Sequence, residues 1–176
     1  MVYAALMAAL TAAGAYIAIP IGPVPIVLQN LFVMLAGLLL GGRWGLISIL
    51  VYLTAGAVGL PVFAGGTGGI GRFVGPTGGY LIGFAIAAYL VGILSEKGKG
   101  KVLIDILAMV AGSFVIYAIG VTWLKVVTGM DFLKSLSVGM LPFLPGDALK
   151  IAAAIPIAKA LRPIIRDKST GIRTKA

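Results

Sequence analysis

Asp147 and Lys150 stand three residues apart in Pro142-Phe-Leu-Pro-Gly-Asp-Ala-Leu-Lys-Ile151, at the start of an apolar run. On a helix that spacing sets both side chains on one face, one turn apart. Asp147 then falls in the first turn, where the helix dipole favours a carboxylate, and Lys150 lies deeper. Ionisable groups inside an apolar span are expensive, so a functional site is the default reading. The alternatives are a self-satisfied ion pair or an aspartate that only caps the helix. As a site, the pair offers an acceptor and a donor to a polar, hydrogen-bonding ligand head. Arg72 is the only charge between Arg43 and Glu96 and sits among glycines. Its guanidinium suits bidentate contact with a carboxylate, or contact with lipid phosphates at an interface. Gln29 and Asn30 open another apolar run after Pro23 and Pro25. Amides there either bridge helices or read a ligand's donors and acceptors. Tyr80, Phe63, Phe73 and Tyr52 are candidates to wall a pocket or to serve as interfacial belt residues. Thr67, inside the glycine-rich stretch, completes the candidate set.

Other chemistries are excluded by what is absent. The chain has no cysteine and no histidine, which removes disulfides, thiol chemistry, haem and most zinc or copper sites. Gly66-Thr-Gly-Gly-Ile-Gly71 matches the dinucleotide glycine pattern, but no strand–helix–strand context surrounds it. No Walker A lysine motif and no credible nucleophile–base pair occur. The chain therefore reads as a binding protein with no cofactor of its own, not an enzyme, and as one that does not hydrolyse ATP itself.

The elements that must position these residues are membrane spans. Of 176 residues, 60% are apolar and 11% charged, with a mean hydropathy of +1.12. A soluble domain would carry charge on about a quarter of its residues. The net charge of +9 invites a nucleic-acid reading, but the basic residues lie mostly at span ends and in the tail, as the positive-inside rule expects. Nothing at the amino end reads as a cleavable signal. Six apolar segments appear, at Val2–Pro20, Ile26–Gly41, Trp44–Leu60, Gly78–Ser95, Val102–Leu124 and Phe143–Leu161. Each is near the length a spanning helix needs. The chain is thus expected to be an all-α integral membrane protein of six transmembrane helices, with both termini on one side.

With the termini cytoplasmic, the inner loops and tail hold ten basic residues, among them Arg43, Lys97, Lys99, Lys101, Lys159 and Arg162; the outer loops hold only Arg72, Lys125 and Lys134. That asymmetry sets the orientation. The elaborate loops then face outward: Gly22-Pro-Val-Pro25, Pro61–Tyr80 and Val126–Leu141. Pro61–Tyr80 holds eight glycines, two prolines and Arg72, a composition that makes no continuous helix. At membrane depth such backbone survives only where protein covers it or it lines a cavity. On the first span, Ala4, Ala8 and Ala12 form a small-xxx-small ridge with Ala5, Ala9 and Ala13 beside it. Such a ridge admits close helix approach, either to a partner or within the bundle.

These motifs resemble a known family. Gly22-Pro-Val-Pro-Ile26 with Leu28-Gln-Asn-Leu31, Ala36-Gly-Leu-Leu-Leu-Gly41, Gly56-Ala-Val-Gly-Leu-Pro-Val-Phe-Ala-Gly-Gly66, Gly75-Pro-Thr-Gly-Gly-Tyr-Leu81 and Leu144-Pro-Gly-Asp-Ala-Leu-Lys150 are similar to BioY, the biotin-specific substrate-binding (S) component of energy-coupling-factor transporters. The resemblance covers the chain to about Pro163. It implies a bundle that binds biotin tightly from outside beneath lid loops, in the cell membrane of a prokaryote. Delivery would follow by toppling while docked on a transmembrane coupling subunit with two cytoplasmic ATPases, which alone would use ATP. It also implies that the Ala4, Ala8 and Ala12 ridge is the surface offered to the coupling subunit. Biotin's ureido ring has two N–H donors and one carbonyl, suiting Asp147 and Lys150; its carboxylate suits Arg72. Residues 1–163 are then the substrate-binding domain and 164–176 a basic cytoplasmic tail. The rival readings are an S component for another vitamin, a self-sufficient secondary biotin carrier, and a scaffold protein without a small ligand.

Overall fold

The computed structural model describes residues 1–19 and 23–170, except for the side chains of Ile19 and 166–170. Pro20–Gly22 and the final residues of the expected tail, 171–176, lie outside the described residues. Helix α1 (Val2–Tyr16) leads into a two-stranded antiparallel ribbon, β1 (Ala18–Ile19) and β2 (Ile26–Val27), with Ala18 opposite Val27 and Ile19 opposite Ile26. Helix α2 (Gln29–Ala57) follows, then the short α3 (Gly71–Val74) within the glycine-rich loop. The remaining helices are α4 (Gly78–Lys97), α5 (Val102–Thr128), α6 (Phe132–Gly139) and, after a 3₁₀ turn at Leu141–Phe143, α7 (Leu144–Thr170). The α2, α4 and α5 helices are long and apolar enough to cross a membrane, and α1 is a shorter apolar helix.

The expected second and third spans are two arms of α2. Gly41, at φ 81° and ψ 179°, breaks the helix, a conformation glycine adopts without a β-carbon clash. The chain folds back there: a β-carbon on Gly45 would lie 3.0 Å from the Cα of Gly37, whereas eight residues along one straight helix span about 12 Å. The turn expected over Gly41–Trp44 is therefore confined to Gly41. The first arm starts at Gln29, not Ile26, because Ile26 and Val27 pair in the ribbon after two prolines that keep the preceding backbone extended. The expected outer loop Val126–Leu141 holds a further helix, α6. It is capped by Asp131, whose side chain accepts from the Leu133 N–H at 3.3 Å.

Packing follows from small residues. The α4 helix lies between α2 and α5, and α7 lies against α2 and α5. A side chain on Gly92 would overlap the backbone of Gly41 and Gly42, so α4 approaches the hairpin turn nearly backbone to backbone. Leu38, Leu39, Ile49, Val91, Met109, Ile116 and Leu124 fill the centre. Away from it the surface stays apolar. Only 33% of the most apolar stretch of α5 is buried, with Leu103, Leu107, Val110 and Phe114 exposed. A helix this apolar and this exposed needs lipid around it.

Arg162 departs from its expected place among free basic residues. The α7 helix continues through residue 163, so the expected domain boundary there is not a break in the chain's helix. Arg162 Nη2 bonds Asp105 Oδ2 at 2.8 Å and Ser95 Oγ at 3.0 Å, and Nε donates to the Leu38 carbonyl at 3.3 Å. Ser95 Oγ donates to Asp105 Oδ1 at 2.6 Å. One guanidinium thus ties α2, α4, α5 and α7 together. Removing one member of a buried pair leaves the other uncompensated, at a cost of about 3–5 kcal/mol, while swapping both for apolar residues is often neutral. Asp105→Ala is accordingly expected to lower the thermal unfolding midpoint in detergent sharply, and Asp105→Leu with Arg162→Met to recover most of it. An unchanged midpoint in Asp105→Ala would show that the clamp contributes nothing.

Candidate ligand-binding site

At the end of α4 opposite that clamp lies a cavity of about 430 Å³. Several parts of the chain close it. The β1–β2 ribbon contributes Ala18, Pro23, Val24, Pro25 and Val27; the glycine-rich loop contributes Phe63, Ala64, Gly65 and Thr67; α3 brings Arg72; and α4 brings Tyr80, Leu81 and Phe84. Tyr117 from α5, Phe143 and Lys150 complete the wall. The volume and mostly apolar lining suit a small organic ligand held by a few placed polar groups.

The loop is fixed from several sides although its composition forbids regular structure. Phe63 and Thr67 form an isolated antiparallel bridge, and Thr67 Oγ1 donates to the Ala64 carbonyl at 3.0 Å. Phe63 is buried over Gly56, where a side chain would overlap its ring, and meets Tyr52 and Phe73 edge-on at 5.5 and 5.7 Å between centroids. Trp123 Nε1 donates to the Gly75 carbonyl at 2.9 Å, and the Tyr16 hydroxyl donates to the Pro61 carbonyl. Several backbone groups of this irregular segment therefore find partners in protein, as irregular backbone at membrane depth would require.

Six of the seven residues expected to meet a ligand line the cavity: Gln29, Asn30, Thr67, Arg72, Tyr80 and Lys150. Two of them carry buried polar atoms, Gln29 Nε2 and Asn30 Oδ1, that have no hydrogen-bond partner among the described residues. An unmade buried hydrogen bond costs about 1–3 kcal/mol, so a ligand that supplies the partner gains by that amount. Arg72 is half-buried and makes no ion pair among the described residues. Its guanidinium is available for an anion. Tyr80 offers the cavity its ring alone: its hydroxyl donates to the Gly139 carbonyl on α6 at 2.9 Å. The hydroxyl proton of Thr67 is likewise held within the loop.

Asp147 is the seventh, and it stands behind the wall. It is buried, its Oδ1 accepts from Lys150 Nζ at 3.1 Å, and its Oδ2 accepts from the Tyr117 hydroxyl. Lys150 and Tyr117 line the cavity; Asp147 lines instead an apolar groove on the other side, between α5, α6 and α7. The carboxylate thus holds a cation and a phenol against the ligand space. The expected spacing of three is realised as an ion pair whose two side chains are 11% and 10% exposed. Tyr117 went unread in the sequence, thirty residues away in an apolar helix with no motif around it; only its polar tip in a span, needing a partner, marked it out.

On α1, Ala4 and Ala8 are buried against the bundle, and Ser48 Oγ donates to the Ala4 carbonyl at 2.8 Å. Ala12 is half-buried. Ala4 and Ala8 therefore pack inside the molecule, where the resemblance implied a surface for the coupling subunit. The exposed ridge is the neighbouring one, Ala5, Ala9 and Ala13.

The local chemistry makes one clear demand. Tyr117→Phe keeps the ring in the wall and removes the hydrogen-bonded hydroxyl from Asp147, a loss of about 1.5–3 kcal/mol for a charged acceptor. It is expected to weaken ligand affinity in a titration while far-UV circular dichroism stays unchanged; wild-type affinity in this variant would show that the phenol takes no part.

Known proteins share this architecture. The description "BioY family" covers residues 1–167. A protein of Pyrococcus horikoshii described as a probable biotin transporter BioY is 49% identical over 158 residues, covering 90% of this chain and 93% of the relative. The biotin transporter BioY of Thermotoga maritima is 42% identical over 164 residues, 93% of this chain and 96% of the relative. A crystal structure of the S-component for biotin from an ECF-type ABC transporter superposes with a TM-score of 0.87 at 35% identity, over 92% of this chain and 89% of that one.

Proposed function

Because the chain belongs to the BioY family, we propose that it is the biotin-binding membrane subunit of an ATP-driven vitamin importer. The observation that carries this reading is the cavity itself: a mostly apolar space with a guanidinium that makes no ion pair among the described residues at one element and an anchored ammonium at another. Biotin has the matching chemistry, an apolar body with a carboxylate at one end and a ureido ring at the other. Arg72 is assigned the carboxylate by bidentate pairing. Lys150 donates to the ureido carbonyl. Asn30 Oδ1 and the Tyr117 oxygen accept from the ureido N–H groups, with Asp147 holding Lys150 and Tyr117 in place. Gln29 supplies a further donor, and Tyr80 and Thr67 shape the wall and the loop.

The wider assembly follows the same premise. Six spans put both termini in the cytoplasm of a prokaryotic cell and the cavity on the outer face, in keeping with the charge asymmetry of the loops. Delivery would require a transmembrane coupling subunit and two cytoplasmic ATPases. The docking surface on α1 is assigned to Ala5, Ala9 and Ala13, since Ala4 and Ala8 are already covered.

Two experiments test these assignments. In a calorimetric titration of the purified chain with biotin, Asp147→Asn should lose roughly tenfold or more in affinity, because a charge-assisted hydrogen bond contributes about 1.5–3 kcal/mol. Binding at wild-type strength would remove Asp147 from the site, and no biotin binding by the folded wild-type chain would remove the reading altogether. On α1, Ala9→Leu should leave biotin affinity intact yet reduce uptake by cells that carry the whole transporter, by blocking close helix approach. Undiminished uptake would place the docking surface elsewhere.

A further inference from the structure

At the end of the bundle away from the ligand cavity a second pocket, of about 330 Å³, is lined by Lys99, Gly100, Val102, Asp105, Lys159 and Arg162, among others. We infer that this pocket binds the headgroup phosphate of an anionic phospholipid.

Charge is the first argument. Three cations face one carboxylate, and Asp105 is already engaged by Arg162 and Ser95. Lys99 and Lys159 are exposed and in no ion pair among the described residues. Arg162 uses Nε and Nη2 in the clamp, while Nη1 makes no hydrogen bond among the described residues and faces Gly100, where any side chain would overlap it. Gly100 thus keeps a donor of the guanidinium uncovered. Arginine and lysine together suit phosphate, one by its planar fork and the other as a point charge.

Backbone shape is the second. Lys99 has φ 51°, the one non-glycine residue with positive φ among those described, and Gly100 follows at 71°. A side-chain-bearing residue rarely takes this conformation, and such outliers gather where a binding function holds them. The turn ends at the amino terminus of α5, whose dipole adds to the attraction for an anion.

Depth then identifies the source of the phosphate. Tyr80 near one end of α4 lines the ligand cavity, and Lys99 just past the other end lines the basic pocket. The twenty residues of α4 span about 30 Å, one hydrocarbon thickness, which sets the pocket at headgroup level. From it Ile155, and Ile151 one turn back along α7, form an apolar path toward the middle of the bilayer. Val110 and Phe114 line the same apolar groove as Ile151, between α5, α6 and α7. A phosphate site at headgroup depth that adjoins an apolar path describes a lipid, whereas a free anion would need only the cations.

The purified full chain in mild detergent, titrated with phosphatidylglycerol and with phosphatidylcholine and followed by native mass spectrometry, tests this. Phosphatidylglycerol should bind in preference, and Lys99→Gln with Lys159→Gln should raise the concentration for half occupancy by roughly tenfold or more. Lys125→Gln with Lys134→Gln, two lysines at the other end, should leave it unchanged. The inference fails if both lipids bind alike, if the Lys125/Lys134 variant loses as much, or if inorganic phosphate displaces the lipid at comparable concentration. It fails too if the Lys99/Lys159 variant keeps phosphatidylglycerol but no longer co-purifies with a coupling subunit, which would assign the pocket to protein. Unchanged far-UV circular dichroism in both variants shows that each is folded.

Discussion

In hydrocarbon no water is available to an unpaired polar group, and this single constraint organises the molecule. Helices meet it within themselves. Everything irregular must be paired by neighbours, and the chain gathers its irregular backbone into one place where that can happen. The ribbon, the glycine-rich loop and α3 cover one another at the head of α4, with Trp123, Tyr16 and the Phe63–Thr67 bridge satisfying carbonyls and amides that would otherwise be stranded. The cavity is what remains where those pieces cannot fill space. Binding capacity thus grows out of the same packing that makes the loop tolerable at membrane depth.

Two buried carboxylates respond to that constraint differently. Asp105 is enclosed by Arg162 and Ser95, and its group closes on itself apart from one guanidinium nitrogen. Asp147 is met by Lys150 and Tyr117, both of which also face the ligand space. The first arrangement holds helices together; the second holds donors and acceptors toward the cavity. Burial and charge are similar in the two cases, so the difference lies in what stands on the far side of each partner.

Much of this was legible in the sequence, for identifiable reasons. Asp147 with Lys150, Arg72 and the Gln29–Asn30 pair announce themselves because polar groups in apolar runs are costly and few. The glycine-rich segment announces itself because no regular element tolerates its composition. Three-dimensional partners were not legible. Tyr117 and Asp105 sit in an ordinary apolar helix, and their roles depend on residues 30 and 57 positions away. The face of α1 was ambiguous because Ala4-xxx-Ala8 and Ala5-xxx-Ala9 are equivalent strings; only packing against Ser48 distinguishes them. The fold-back near Gly41 was expected from the break between the second and third spans, but the helix α6 was not, because eight residues of mixed polarity in a loop leave little compositional trace.

The Arg162 clamp also makes the two ends unlike. Parting it would strand an arginine and an aspartate in a low-dielectric interior. The opposite end is held by hydrogen bonds to single loop carbonyls and by aromatic edges, which separate far more readily. The molecule is therefore held unequally, by a buried charged clamp at one end and by single hydrogen bonds and aromatic edges around the cavity at the other.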